Sequence, residues 1–249
     1  MTSLIRILAA SLVASSLTAC AVHNPYGWRT EFDRGQVAYD EGRFVDAYKI
    51  WLPLAEAGIC KAEFAIGSLL EELTSFPPIP AEQVDAIEAL LATERRATGF
   101  EYFYLPYSSA YPHHRPRFIA IYWFQQAAFH GHPDAPYRTG ISLQEWFMTF
   151  HGERSPSSAP HLAHFWFTVG AERGDDRSMV NLASSWMIPR DTLYWSFVLE
   201  RQWGREKATG RFHGLDNPYI DRTKTEWILA WANEWEPLDP LDTTPPDCL

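Results

Sequence analysis

Tyr122-Trp-Phe-Gln-Gln-Ala-Ala-Phe-His-Gly131 and Phe165-Trp-Phe-Thr-Val-Gly-Ala-Glu-Arg-Gly174 place small and aromatic residues in the same slots ahead of a glycine. A third copy ends at Gly58. Eleven residues before the three glycines stand Ala47, Ala120 and Ala163, and seven before stand Trp51, Phe124 and Phe167. Three before stand Ala55, Ala128 and Ala171. Beyond the glycines, Ala62, Ala135 and Ser178 follow at four residues, and Gly67, Gly140 and Ala183 at nine. Small, aromatic and small residues spaced four apart share one face of a helix. The glycine can take positive φ and end that helix. A second helix then follows, with small residues five apart where it approaches the first. Small side chains let the two axes close up, and the aromatic is expected to fill the groove left between them. Each unit reads as an antiparallel helix pair. One pair cannot bury its own apolar face, so the pairs are expected to stack. The fold class is therefore all-α, a short irregular α-solenoid.

These segments resemble Sel1-like repeats, relatives of the tetratricopeptide repeat. The first copy, from Gly35 to Glu72, is closer to the tetratricopeptide form, with an Asp40-Glu41-Gly42-Arg43-Phe44 turn ahead of its helix. The resemblance implies a protein-binding scaffold and names no partner. The chain departs from a regular array. The first two anchor glycines are 73 residues apart and the next two 43, so the first gap carries an inserted helix-loop segment, residues 73–117. It opens at Pro77-Pro78-Ile79-Pro80 and is predicted to hold a helix from Glu82 to Arg96. A poorer match starts at Leu193, with Gly204 and Ala208 in register but Arg201 and His213 in slots that are small elsewhere, which leaves a degenerate fourth copy open. A last helix is predicted from Arg222 to Trp235, and residues 237–249 read as an extended acidic tail.

The chain opens on one basic residue, Arg6, and an apolar run from Ile7 to Leu17. That run is short for a bilayer, which needs roughly 20 apolar residues, and fits a secretory signal. Leu17-Thr18-Ala19-Cys20 resembles the lipobox of bacterial lipoproteins. The resemblance implies a signal peptide over 1–19, lipidation of Cys20 and attachment to a membrane through that lipid. Residues 20–33 would be the tether and 34–236 the helical domain. Ala21 stands where an Asp would favour inner-membrane retention, which points to the outer membrane, facing the periplasm. The export compartment permits a disulfide between Cys60 and Cys248, and the sequence leaves that pairing open.

The whole chain has 21 basic and 31 acidic residues, a formal charge of −10. That balance argues against nucleic acid, whose phosphates demand a basic surface, and is compatible with a basic partner. No phosphate loop, serine elbow or His-x-Lys-x4-Asp pattern appears, and no catalytic set can be assembled. His130 with His132, and His161 with His164, lack further ligands at zinc-like spacing, so neither metal nor cofactor is expected. The functional candidates lie in the insertion: Glu101, Tyr102, Tyr104, Tyr107, Tyr111, His113 and His114. Tyrosines are enriched at binding hot spots, though these could instead pack back on the first repeat. Sel1-repeat lipoproteins of this size include periplasmic immunity proteins against phospholipase D toxins delivered by type VI secretion. That likeness implies a non-catalytic phospholipase inhibitor. A cell-envelope adaptor without a toxin partner is the alternative, and a secreted enzyme the third reading.

Overall fold

A computed structural model describes residues 27–74, 79–93, 115–149, 159–184, 189–204, 207, 225–237 and 248. Among these the protein is all-α, with ten helices and no strand. In chain order they are α1 (Gly27–Asp40), α2 (Phe44–Glu56), α3 (Cys60–Glu72), α4 (Ala81–Thr93) and α5 (Arg115–Phe129). They continue as α6 (Ala135–Thr149), α7 (Ala159–Glu172), α8 (Asp176–Ala183), α9 (Pro189–Trp203) and α10 (Glu226–Glu234).

With α4 set aside, each helix packs on the next in this series, so that α3 packs directly on α5. The inserted α4 sits to one side, touching α2 and α5. The insertion therefore leaves the packing of the first unit on the second intact. All the aligned small residues are buried, as are Trp51, Phe124 and Phe167. The buried side chains form two clusters, one over α1–α5 and one over α5–α10. Helix α5 serves both, with Ala120, Trp123 and Phe124 turned to one and Phe118, Ile121 and Ala127 to the other. A helix apolar on nearly all sides belongs in the middle of a structure.

The helix ends follow from the glycines. Gly58, Gly131 and Gly174 have φ of 82°, 92° and 89°. At each, the glycine N–H donates to the carbonyl three residues back: Ala55 at 3.0 Å, Ala128 at 3.2 Å and Ala171 at 2.9 Å. The next N–H donates five residues back: Ile59 to Leu54 at 3.1 Å, His132 to Ala127 at 2.8 Å and Asp175 to Gly170 at 3.0 Å. This is the Schellman pattern, which satisfies the last free carbonyls of a helix. Gly204, at the end of α9, has φ of 80° and makes the simpler bond, to Glu200 at 3.0 Å. Asp175 then caps α8, its side chain accepting from Ser178 N–H at 2.9 Å.

The structure corrects where the aromatic sits. A Cβ added to Gly67 would lie 2.7 Å from the Phe124 ring, and one added to Gly140 would lie 2.5 Å from Phe167. The glycine of one unit's second helix is thus covered by the aromatic of the next unit, and the interlock runs between units. Gly35 meets Trp51 in the same way, with a Cβ there 2.3 Å from Nε1. Helix α1 therefore plays the part of a second helix ahead of the first unit.

Element boundaries move as well. Helix α1 begins at Gly27, inside the stretch expected to be tether over 20–33. Its Phe32 ring stacks on Trp51 at 5.7 Å, and the Phe32 carbonyl accepts from Trp51 Nε1–H at 3.1 Å. Burial against α2 draws this segment into the helix. The inserted helix starts at Ala81 and the last one at Glu226, later than the expected Arg222. Residues 94–96 and 222–224 lie outside the described residues. Arg201 fills a slot that is small elsewhere. It donates to the carbonyls of Asn233 and, at 2.6 Å, of Trp235, so the large residue ties α9 to the end of α10.

Candidate functional site

Cys20, Glu101, Tyr102, Tyr104, Tyr107, Tyr111, His113 and His114 lie outside the described residues, as do His213 and most of the tail after Pro237. The flanks of the tyrosine segment are described. Arg115 donates to the Leu91 carbonyl at 3.0 Å, which ties the start of α5 to the end of α4. The described residues on either side of the tyrosine segment are therefore held together.

The described residues assemble a second feature at the edge formed by the repeat turns. The His130 ring lies 3.6 Å from where a Gly58 Cβ would be, and Arg173 donates to the Ala128 carbonyl at 3.2 Å. Each turn thus touches the one before. Cys60, which opens α3 just after the first turn, is joined by a disulfide to Cys248, with their Cα atoms 5.1 Å apart. The Cys248 sulfur also rests 3.2 Å from the His130 carbonyl oxygen in the second turn. Pro237 lies against Gly174 in the third turn. The C-terminal segment therefore meets the third turn at Pro237 and the second and first at Cys248.

His130 and His132 diverge. Nδ1 of His130 is 2.8 Å from the buried Glu63, a link from α5 back to α3. His132 stacks on Phe64 with ring centroids 3.9 Å apart, and its Nδ1 accepts from Asp134 N–H at 3.3 Å. Burial pushes the His132 imidazole down to about 4, and Asp134 offsets part of that shift. It is neutral at pH 7 and serves the core. His164 Nε2 lies 3.0 Å from Asp191, joining α7 to α9. Among the described residues no three His, Cys, Asp or Glu side chains are grouped to hold a metal.

A buried charge network was not legible in the sequence. Glu71 reads as one of two solvated acids at a helix end, yet it is 6 % exposed. It accepts from the Ser142 hydroxyl and pairs with Arg138 at 2.6 Å. Burial raises the Glu71 carboxyl, while Ser142 and Arg138 hold it down. Arg138 also stands over the Phe124 ring, 5.8 Å from its centroid. The network fastens α3 to α6 across the interlocked aromatic. Glu72, its neighbour, is exposed and accepts from the Tyr39 hydroxyl at 2.7 Å.

Outside the core, two groups of large apolar side chains face solvent. Phe129 and Phe165 are 68 % and 53 % exposed, and both lean on the buried Trp166 at 5.4 Å and 5.3 Å. Trp227 and Trp231 on α10 are each 54 % exposed. Single exposed apolar residues are ordinary, whereas grouped ones mark contact surfaces. No helix among the described residues is long and apolar enough to cross a membrane. Comparison with protein-family profiles, curated proteins and solved structures finds no match for this chain.

Proposed function

We propose that the protein is a non-catalytic binding scaffold, a short solenoid of Sel1-like helix pairs lipid-anchored at Cys20 in a bacterial envelope. In this reading it is an immunity protein that occludes a phospholipase D toxin in the periplasm. The observation that carries the scaffold is the interlock of Gly67 with Phe124 and Gly140 with Phe167, which joins unit to unit. Units that stack in this way generate extended surfaces suited to protein partners. The Cys60–Cys248 pairing supports export, because disulfides persist in oxidising compartments. The acidic balance of the whole chain suits a toxin whose phosphate site is basic.

The test is inhibition. The chain without residues 1–20, added in stoichiometric excess to a type VI phospholipase D, should co-purify with it and suppress lipid hydrolysis. Undiminished hydrolysis by every such enzyme tried would end the immunity reading. Replacing Tyr102, Tyr104 and Tyr107 by alanine should weaken that complex more than it weakens folding. Cys20→Ser should leave inhibition intact and release the protein from the membrane fraction. A variant that stays membrane-bound would remove the anchor at Cys20.

A further inference from the structure

We infer that the outer face of α10 is a docking surface for a cationic segment of a partner protein, an inference that rests on the binding function proposed above. Helix α10 has two apolar stripes. Ile228 and Ala232, with Trp235 just past the helix end, are buried. Trp227, Ala230 and Trp231 recur at i, i+3 and i+4 on the other side and are exposed, with Glu234 completing the stripe at i+7. One apolar stripe is enough to hold a helix to its core. Among the described residues the second adds nothing to the buried core, and Trp231 rests on the partly buried Tyr194 at 5.2 Å. A terminal element of a stacked fold ordinarily shows water a polar face, so paired tryptophans there call for a partner.

Charge fixes the chemistry of that partner. From Thr225 to Pro237 the described chain carries Glu226, Glu234 and Glu236, all exposed, and no base, while Arg222 and Lys224 ahead of it lie outside the described residues. Arg201, the described cation that reaches the end of α10, is turned onto the Asn233 and Trp235 carbonyls. Indole faces attract guanidinium and ammonium groups more strongly than other aromatic side chains do. Carboxylates beside them add pairing to the same cation. Arginine or lysine side chains stacked on Trp227 and Trp231 and paired with Glu226 and Glu234 satisfy both features together.

The full chain in detergent, labelled with 5-fluorotryptophan, gives one fluorine resonance per indole, and Trp227→Phe and Trp231→Phe assign two of them. Titration with an amidated Arg-Ala-Arg-Ala-Arg peptide should shift those two resonances saturably, while Glu-Ala-Glu-Ala-Glu should not. Glu226→Gln with Glu234→Gln and Glu236→Gln should weaken the peptide about fivefold, the combined scale of three exposed ion pairs. Trp227→Gln with Trp231→Gln should weaken it about tenfold, with an unchanged circular dichroism melt. Resonances of Trp227 and Trp231 that stay still, or an affinity indifferent to the glutamines, would overturn the surface. The lipase assay is a separate readout. Failed peptide binding with intact lipase inhibition removes this surface and leaves the scaffold standing. Failed lipase inhibition with intact peptide binding removes the toxin and leaves the surface.

Discussion

Replacing Gly140 by alanine adds one methyl group where a ring already stands. The new carbon would lie 2.5 Å from Phe167 Cε1, 2.7 Å from Cδ1 and 2.9 Å from Cζ. Carbon atoms rest about 3.5–4.0 Å apart, so ring and helix must separate by about 1 Å. Phe167 has little freedom to yield, being 5 % exposed with Tyr137 at 6.2 Å. Overpacking of this kind costs about 1–3 kcal/mol. Alanine in a helix interior returns about 1 kcal/mol over glycine. The net expectation is a loss of about 1 kcal/mol, whereas alanine in open space would give a gain of about that size. A urea titration followed by circular dichroism resolves the two, because a slope of about 1–3 kcal/mol per molar turns their difference into a clear midpoint shift. Phe167→Leu in the alanine background should cost less than Phe167→Leu alone, since the shorter side chain frees the space. A raised urea midpoint for Gly140→Ala in the otherwise unchanged protein would refute the interlock.

Trp51→Ala should cost about 3–5 kcal/mol, the range for a lost core aromatic, because Trp51 is 2 % exposed and bonded to the Phe32 carbonyl. A midpoint unchanged to within a few tenths of a molar would place that ring at the surface. Cys248→Ser opens a loop that spans 188 residues of sequence. Chain entropy sets about 5 kcal/mol as the scale of that loss. Reductant should bring the unaltered protein to the same midpoint, and a reductant-insensitive midpoint would contradict the pairing. His132 binds its proton more weakly in the fold, at about 4, than in an unfolded chain, at about 6.5. Its contribution is therefore fully present above pH 6.5 and is lost as pH falls toward 4, by up to about 3 kcal/mol. His132→Gln should flatten stability across that window relative to the unaltered protein, and parallel pH curves would show that His132 is not buried neutral.

The repeat register was legible because it is written in residue size. Only small residues fit where two helices approach, and the three glycine-ended units keep every such slot buried. The helix ends were legible too, since a glycine at fixed register is a stop signal with a backbone cause. Which groove the aromatic fills was not legible. A ring between the helices of one pair and a ring between neighbouring pairs leave the same periodic trace, and only the approach of Gly67 to Phe124 separates them. The start of helix α1, ahead of residue 34, was missed because the signal for it is its partner: Phe32 packs on Trp51, which lies outside its own segment. Glu71 was misread for the same reason. Its burial is set by Ser142 and Arg138, about seventy residues away in sequence. The tyrosines from 102 to 111, the residues singled out for binding, lie outside the described residues.

The bond between Cys60 and Cys248 also has a mechanical meaning. Everything from α3 to α10 lies inside the covalent loop that it closes. A pull applied ahead of α1 and resisted at the C-terminal segment travels through α1 and α2 to Cys60, and there crosses the sulfurs. Tension bypasses the interlocked units and the tryptophans of α10. Under load the protein would yield first by losing α1 and α2, peeling Gly35 from Trp51, while the enclosed surface keeps its shape.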